Sequence, residues 1–239
     1  MIRQFKLREL IDPCLVKLAI QVPIKGKSSQ RVPNKNFRDL NGKPLCHWLL
    51  DELIQLPIEI DIFVDSEDEE VFEKLSLQKY ERIRHHKREG WFAEDRANGN
   101  HLLNQFALKH HQYDAFAQLF VTAVTLRSGI IREALSSFEE HIKKNDSLFR
   151  VTEETGWIWH NDQPMNYDPT KPHGLPRSQD ATYLKETTGM YVISRSAALF
   201  TGCRIGEKPL LFKVNQEYSL DIDTMSDLRE AERLLALTD

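Results

Sequence analysis

Lys25, Lys27, Arg31, Lys35 and Arg38 crowd into and just past the stretch QVPIKGKSSQRVPNKNF (21–37), interleaved with Ser28, Ser29 and Asn36. Cations mixed with hydroxyl and amide groups on one short loop are the residue types that neutralise phosphate oxygens. The same composition also describes a solvated surface turn. Near the other end, LDIDT (220–224) sets Asp221 and Asp223 two positions apart. On extended backbone both carboxylates face one side, as a hard cation with oxygen ligands requires. Asp223 or Thr224 could instead cap the helix that SDLREAERLL predicts.

The elements around these residues decide what they can reach. KLAIQVPI (17–24) is a short apolar run rich in Val and Ile, a buried strand that delivers the basic loop at its carboxyl end. Pro44 then opens a helix over PLCHWLLDELIQL. IEIDIFVDS (58–66) reads as a second strand, and EDEEVFEKLSLQKY (67–80) as a helix with carboxylates in its first turn, where the dipole favours them. A helix over 98–112, a strand over AFAQLFVTAV (115–124) and a helix begun by Ser128 (128–145) continue the alternation. GMYVISR (189–195) is a further strand, and DTMSDLREAERLLALTD closes the chain as an amphipathic helix. Alternation of this kind predicts a parallel α/β sheet, whose ligands sit outside the carboxyl ends of the strands. The basic loop is therefore a candidate polyphosphate cradle, although it carries neither the Walker A pattern nor G-x-G-x-x-G. Between about 150 and 185 the helical periodicity stops, which predicts strands in an excursion or dimerisation arm; Trp157 and Trp159 alternate as one strand face would.

Composition narrows the class. The 239 residues are 41% hydrophobic and 28% charged with a formal charge of −4, so nothing global attracts nucleic acid or an anionic membrane. One domain over 17–239 after an N-terminal extension (1–16) is expected. Cys14, Cys46 and Cys203 are isolated, predicting structural thiols in a reducing compartment rather than disulfides or zinc. No segment resembles a signal peptide or a membrane span, so the expected location is cytoplasmic. The histidines show no paired ligand spacing and read as surface or capping residues.

Four ordered stretches resemble a known family. VPIKGKSSQRVPNKN with LNGKPLCHWLL is similar to the I-P-A-R-x-G-S-K-R-[IL]-P-x-K-N and [GN]-G-K-P-L motifs of the acylneuraminate and Kdo cytidylyltransferases. FVDSEDEEV, TLRSGIIREAL, and TGMYVISR followed by LDIDTMSDLREAE are similar to that family's later motifs, so the resemblance spans about 20 to 235. It implies a Rossmann-like nucleotidyltransferase fold with a mostly parallel sheet flanked by helices, a strand-rich dimerisation arm and a homodimer. It also implies transfer of CMP from CTP to the anomeric hydroxyl of a 2-keto-3-deoxy sugar acid, with release of pyrophosphate. Under the resemblance Lys25, Arg31 and Lys35 are catalytic cations on the triphosphate, and Pro23, Lys27, Ser28, Ser29, Asn36, Asn98 and Asn100 hold the nucleotide. Arg127, Arg177, Gln179 and Thr188 are assigned to the sugar acid, and Asp221 and Asp223 to Mg2+.

The chain also departs from the family. Its loop is one residue longer between Pro23 and Arg31, leaving the α-phosphate contact open between Lys25 and Lys27. Val121 replaces a family glutamine, Thr188 an asparagine, and Glu186 falls near an arginine position. These changes fall around base and sugar contacts while the phosphate loop and DIDT persist, which predicts retained nucleotidyl transfer to an unusual acceptor. Two other readings stand beside it: a transferase using another nucleotide or acceptor, and a nucleotide-binding protein without catalysis. No general base is evident.

Overall fold

The computed structural model describes residues 16–26, 32, 34–75, 78–94 and 96–236. Seven strands form one sheet. They are β1 (Leu18–Pro23), β2 (Asp61–Ser66), β3 (Ile83–Lys87), β4 (Ala115–Leu119), β5 (Ser147–Thr155), β6 (Thr182–Ser194) and β7 (Pro209–Lys213). Their spatial order is β7-β5-β6-β4-β1-β2-β3, and every pairing is parallel except those of β6 with β4 and β5. The expected mostly parallel α/β sheet is therefore present. The chain runs outward from β1 through β2 to β3 and then returns to the other side of β1 as β4. That reversal makes the carboxyl ends of β1 and β4 a topological switch point, where such sheets bind ligands.

Strand alternation sends side chains to two cores. Leu18, Ile20 and Val22 of β1 pack with α1 (Leu45–Leu53), α2 (Glu69–Leu75), α4 (Ser128–His141) and α6 (Met225–Leu235) on one face. Ala19, Phe63 and Phe116 pack on the other with α3 (Gly99–Lys109) and α5 (Arg195–Thr201). Cys46 is a buried core thiol and Cys203 is half-buried, both free; Cys14 lies outside the described residues.

Several boundaries differ from the sequence expectation for identifiable reasons. Strand β4 ends at Leu119: the Phe120 N–H still reaches the Gly189 carbonyl, but turns begin at Val121. Strand β6 begins at Thr182 rather than 189 and pairs with β5 through a bulge between Glu186 and Tyr191. The segment between β5 and β6 carries a short strand pair, Trp159–His160 with Gln163–Pro164. Strands β3 and β7 went unread because IRHHK is polar and PLLFK is a short edge strand. His86 is buried against His110, at 2.8 Å between ring nitrogens, and is no surface residue.

Candidate active site

The loops after β1, β3 and β4, the start of α3, the β6 bulge and the segment before α6 enclose a cavity of about 390 Å³. It gathers eight of the residues expected at a site: Pro23, Lys25, Lys35, Asn36, Asn98, Thr188, Asp221 and Asp223. Lys27, Ser28, Ser29 and Arg31 lie outside the described residues.

Lys35 joins the two ends of the chain. It sits in a 3-10 turn over Lys35–Phe37 entered through left-handed Asn34, and its Nζ donates to the Ile222 carbonyl at 2.9 Å and to Asp223 Oδ1 at 3.3 Å. Asn36 Nδ2 donates to the Lys25 carbonyl at 2.9 Å and so braces the turn against β1. Gly26 has a steric duty: a Cβ there would lie 2.3 Å from Asp68 Cβ, and its N–H donates to Glu67. Burial pushes the Glu67 carboxyl up, but its backbone hydrogen bonds and the Arg88 guanidinium outweigh this and hold it below the usual range.

At LDIDT the capping role falls to a residue other than the two aspartates. Thr224 is the N-cap of α6, in a reciprocal capping box with Asp227. Ile222 is buried in the core, so its two neighbours present their carboxylates to the cavity. Asp221 Oδ2 accepts the Thr188 hydroxyl at 2.5 Å, whereas its buried Oδ1 has no hydrogen-bond partner among the described residues. A buried, orphaned carboxylate oxygen beside a second carboxylate suits a hard cation. Among the described residues no group of three or more His, Cys, Asp or Glu converges, so substrate and water oxygens would have to complete its shell.

Other expected residues are elsewhere. Asn100 does not line the cavity; its Oδ1 accepts the backbone N–H of Arg204 at 3.1 Å. Arg127 Nη1 donates to the Val124 carbonyl, and its Nε is 3.9 Å from Glu52. Arg177 is exposed in the arm and closed onto Asp180 by contacts of 2.7 and 3.2 Å, with exposed Gln179 in the same turn.

The structure adds residues that sequence reasoning missed. Arg88, Phe92, Phe120, Thr122 and Arg204 line the cavity along with Val121. Arg88 is buried against Glu67 at 2.7 Å and Asp65 at 3.5 Å, and burial pushes the Asp65 carboxyl up to about 6 despite that cation. Behind the β6 bulge, Arg150 is wholly buried and donates to the carbonyls of Tyr218, at 2.8 Å, and Thr188. Burial lowers its pKa to about 10, opposed by Asp221, so it stays a cation near neutrality. Tyr191 donates its hydroxyl to Glu186 at 2.5 Å, and burial followed by that bond pushes its pKa up. None of these had a spacing signature. A lone arginine in a polar stretch becomes a site residue only through the order of the strands.

Comparison with known proteins gives a consistent set of relatives. The family model described as Cytidylyltransferase matches residues 27–237. An N-acylneuraminate cytidylyltransferase A of Danio rerio is 25% identical over 215 residues, covering 86% of this chain and 48% of that protein. A pseudaminic acid cytidylyltransferase of Campylobacter jejuni is 27% identical over 229 residues, covering 89% of this chain and 94% of its own length. The chain thus spans about half of the first relative and nearly all of the second. The solved structure of a CMP:2-keto-3-deoxy-manno-octonic acid synthetase complexed with CTP matches with a TM-score of 0.64 at 16% identity, over 93% of this chain and all of that one. A 4-diphosphocytidyl-2C-methyl-D-erythritol synthase of Anaerococcus prevotii matches at 0.63 and 13%, over 92% and 96%. At these identities the structural matches speak for the fold alone.

Proposed function

The chain belongs to the cytidylyltransferase family, and from that premise we propose that it transfers CMP from CTP to the anomeric hydroxyl of a 2-keto-3-deoxy sugar acid. The observation that carries this reading is the junction of Lys35 with Asp223 beside Asp221, in a cavity at the switch point of the sheet. The relatives named for N-acylneuraminate and pseudaminic acid support the acceptor class. In the reaction the acceptor hydroxyl oxygen attacks the α-phosphorus and loses its proton to water, the bond from that phosphorus to the β-bridging oxygen breaks, and pyrophosphate leaves with the electron pair.

Each group on the cavity wall answers one demand of that step. Lys25 and Lys35 neutralise the triphosphate and draw negative charge off the leaving group, help that is worth most where water is excluded. Asn36 holds the β1 turn so that these cations meet a fixed substrate rather than reorganising around it. Asp221 and Asp223 would hold Mg2+, which when bound offsets triphosphate charge and acidifies a coordinated hydroxyl. Thr188 orients Asp221 through their hydrogen bond, and Arg150 fixes Thr188 from beneath.

We place the protein in the cytoplasm as a homodimer. No helix among the described residues is long and apolar enough to cross a membrane, and Cys46 and Cys203 are free thiols. The arm between β5 and β6 leaves Trp157, Trp159, Met165 and Leu175 exposed, an apolar surface suited to a second copy. The test is pyrophosphate release from each of CTP, ATP, GTP and UTP with Mg2+ against N-acetylneuraminic, pseudaminic and Kdo acids. Release with CTP and one acid, lost in Asp221→Ala, is the expected result. Release with another nucleotide alone, or an active Asp221→Ala enzyme, overturns the reading.

A further inference from the structure

The cations around the cavity are not equivalent. Lys35 is tied to Ile222 and Asp223, and Arg88 to Glu67 and Asp65. Among the described residues the Arg204 guanidinium makes no hydrogen bond and no ion pair. It lies over the Tyr191 ring at 4.0 Å and 5.5 Å from the Phe120 centroid. Attraction to a ring face uses none of the N–H donors, so the planar fork is held in place with its hydrogen-bonding capacity unspent.

The position of that fork is costly without a ligand. A Cβ on Gly99 would lie 2.5 Å from Arg204 Nη1, so the guanidinium abuts the first residue of α3, and the first turn of α3 contains no acidic residue. A cation at the positive end of a helix is repelled by it, and an anion placed between the two reverses the sign. The loop that carries Arg204 is nevertheless rigidly built. Left-handed Gly202 ends α5, Arg204 N–H donates to Asn100 Oδ1, and the N–H groups of Gly206 and Glu207 donate to Ser147 Oγ and Asp146 Oδ2.

We propose that Arg204 is the specificity-determining residue of the acceptor subsite, gripping the carboxylate of the sugar acid with its planar fork at the N-terminus of α3. This rests on the cytidylyl-transfer reading above. Strand order separates this anion from the triphosphate: Lys25 follows β1, whereas Tyr191 and Phe120 belong to β6 and the end of β4, on the far side of the switch point. Arg177, the arginine the family resemblance assigns to the sugar acid, is engaged with Asp180 out in the arm.

The test is calorimetric titration of N-acetylneuraminic, pseudaminic and Kdo acids, and of their methyl esters, into protein saturated with CTP and lacking divalent cations. Wild type, Arg204→Gln and Arg204→Lys are compared, with CTP affinity measured separately as the report of an intact site. Arg204→Gln is expected to weaken binding of the acid by about 10- to 100-fold, the range for a charge-assisted bidentate pair, while binding of the ester and of CTP is unchanged. Arg204→Lys should restore part of the loss. Unchanged acid binding in Arg204→Gln, equal weakening of acid and CTP, or no acid bound by wild type each overturns the assignment. Binding that depends on Arg204 without pyrophosphate release when Mg2+ is added would refute cytidylyl transfer and leave the carboxylate subsite standing.

Discussion

Replacing Arg150 by Met tests whether the β6 bulge is held from beneath by one buried cation. The side chain is 0% exposed and its guanidinium supports the carbonyls of Thr188 and Tyr218, one on each of the two segments that meet at Asp221. Methionine fills similar volume but donates nothing, so two part-buried carbonyls lose their partner at about 1–3 kcal/mol each. Against this stands the relief of a desolvated cation, which in an apolar replacement recovers about 1–4 kcal/mol. The two lost hydrogen bonds together outweigh that recovery, and a net loss of about 2 kcal/mol is expected. For a chain of this size that is a fall in Tm of about 4–8 °C. Scanning calorimetry reads the stability, and pyrophosphate release reads whether Thr188 still presents Asp221 correctly. Turnover should fall, because Thr188 would no longer hold Asp221 in place. A variant that melts within 1 °C of wild type (roughly 0.3 kcal/mol) and turns over normally would refute this account of the bulge.

Two further perturbations follow from the same geometry. Gly189 has φ +107°, and a Cβ there would lie 2.5 Å from Ala123 Cβ and 2.6 Å from Arg150 Nη2, so Gly189→Ala should cost about 3 kcal/mol or more and lower Tm by at least about 6 °C; a variant as stable as wild type would show that the bulge adjusts freely. His86 is buried between His110 and Gln105, and burial, with the charges of His110, Lys109 and Arg88, pushes its pKa down to about 4. The unfolded chain takes up this proton near pH 6.5 and the folded chain only near 4, so this contribution is complete above pH 6.5 and is lost as pH falls towards 4, by up to about 3 kcal/mol. Asp65 works in the opposite sense, its carboxyl raised to about 6 by burial, so the informative quantity is the difference between wild type and His86→Gln. The variant should lose less stability between pH 7 and 4.5 in denaturant titrations, and parallel curves would exclude His86 as the source.

What was legible in the sequence was what local spacing encodes. Asp221 and Asp223 alternate with buried Ile222, and Lys35 and Asn36 follow a strand whose apolar run marks its own end. The β-α alternation gave the parallel sheet for the same reason. Arg88, Arg150 and Arg204 were not legible, because each is a single cation whose partners are more than twelve residues away. Strand β3 failed for a related reason: as the outermost strand beside β2 it is not required to be apolar on both faces, and IRHHK has no run to detect. Arg177 and Asn100 show the limit of motif position within one chain. The motif position matched, yet the arm carries one away from the cavity and Asn100 acts one step back, through the Arg204 backbone.

The two glutamines inside the apolar strands explain how that cavity wall is kept in register. Gln21 of β1 and Gln118 of β4 are side by side on the α3 face and joined at 2.9 Å. Gln118 donates on to the Gly99 carbonyl at 2.9 Å, and Gln21 donates to the Leu102 carbonyl at 3.1 Å and to Asp65. Asp65 in turn pairs with Arg88, so an unbroken polar row runs under the floor from the β3 loop to the first turn of α3. An apolar pair at 21 and 118 would bury as well but would let α3 slide along the sheet, since hydrophobic contact is not directional. Hydrogen bonds to the first and fourth residues of α3 fix its start instead. Asn98, Gly99 and the guanidinium of Arg204 are positioned by that start, so part of the site's geometry is set by residues that touch no ligand and, in sequence, look like interruptions of a strand.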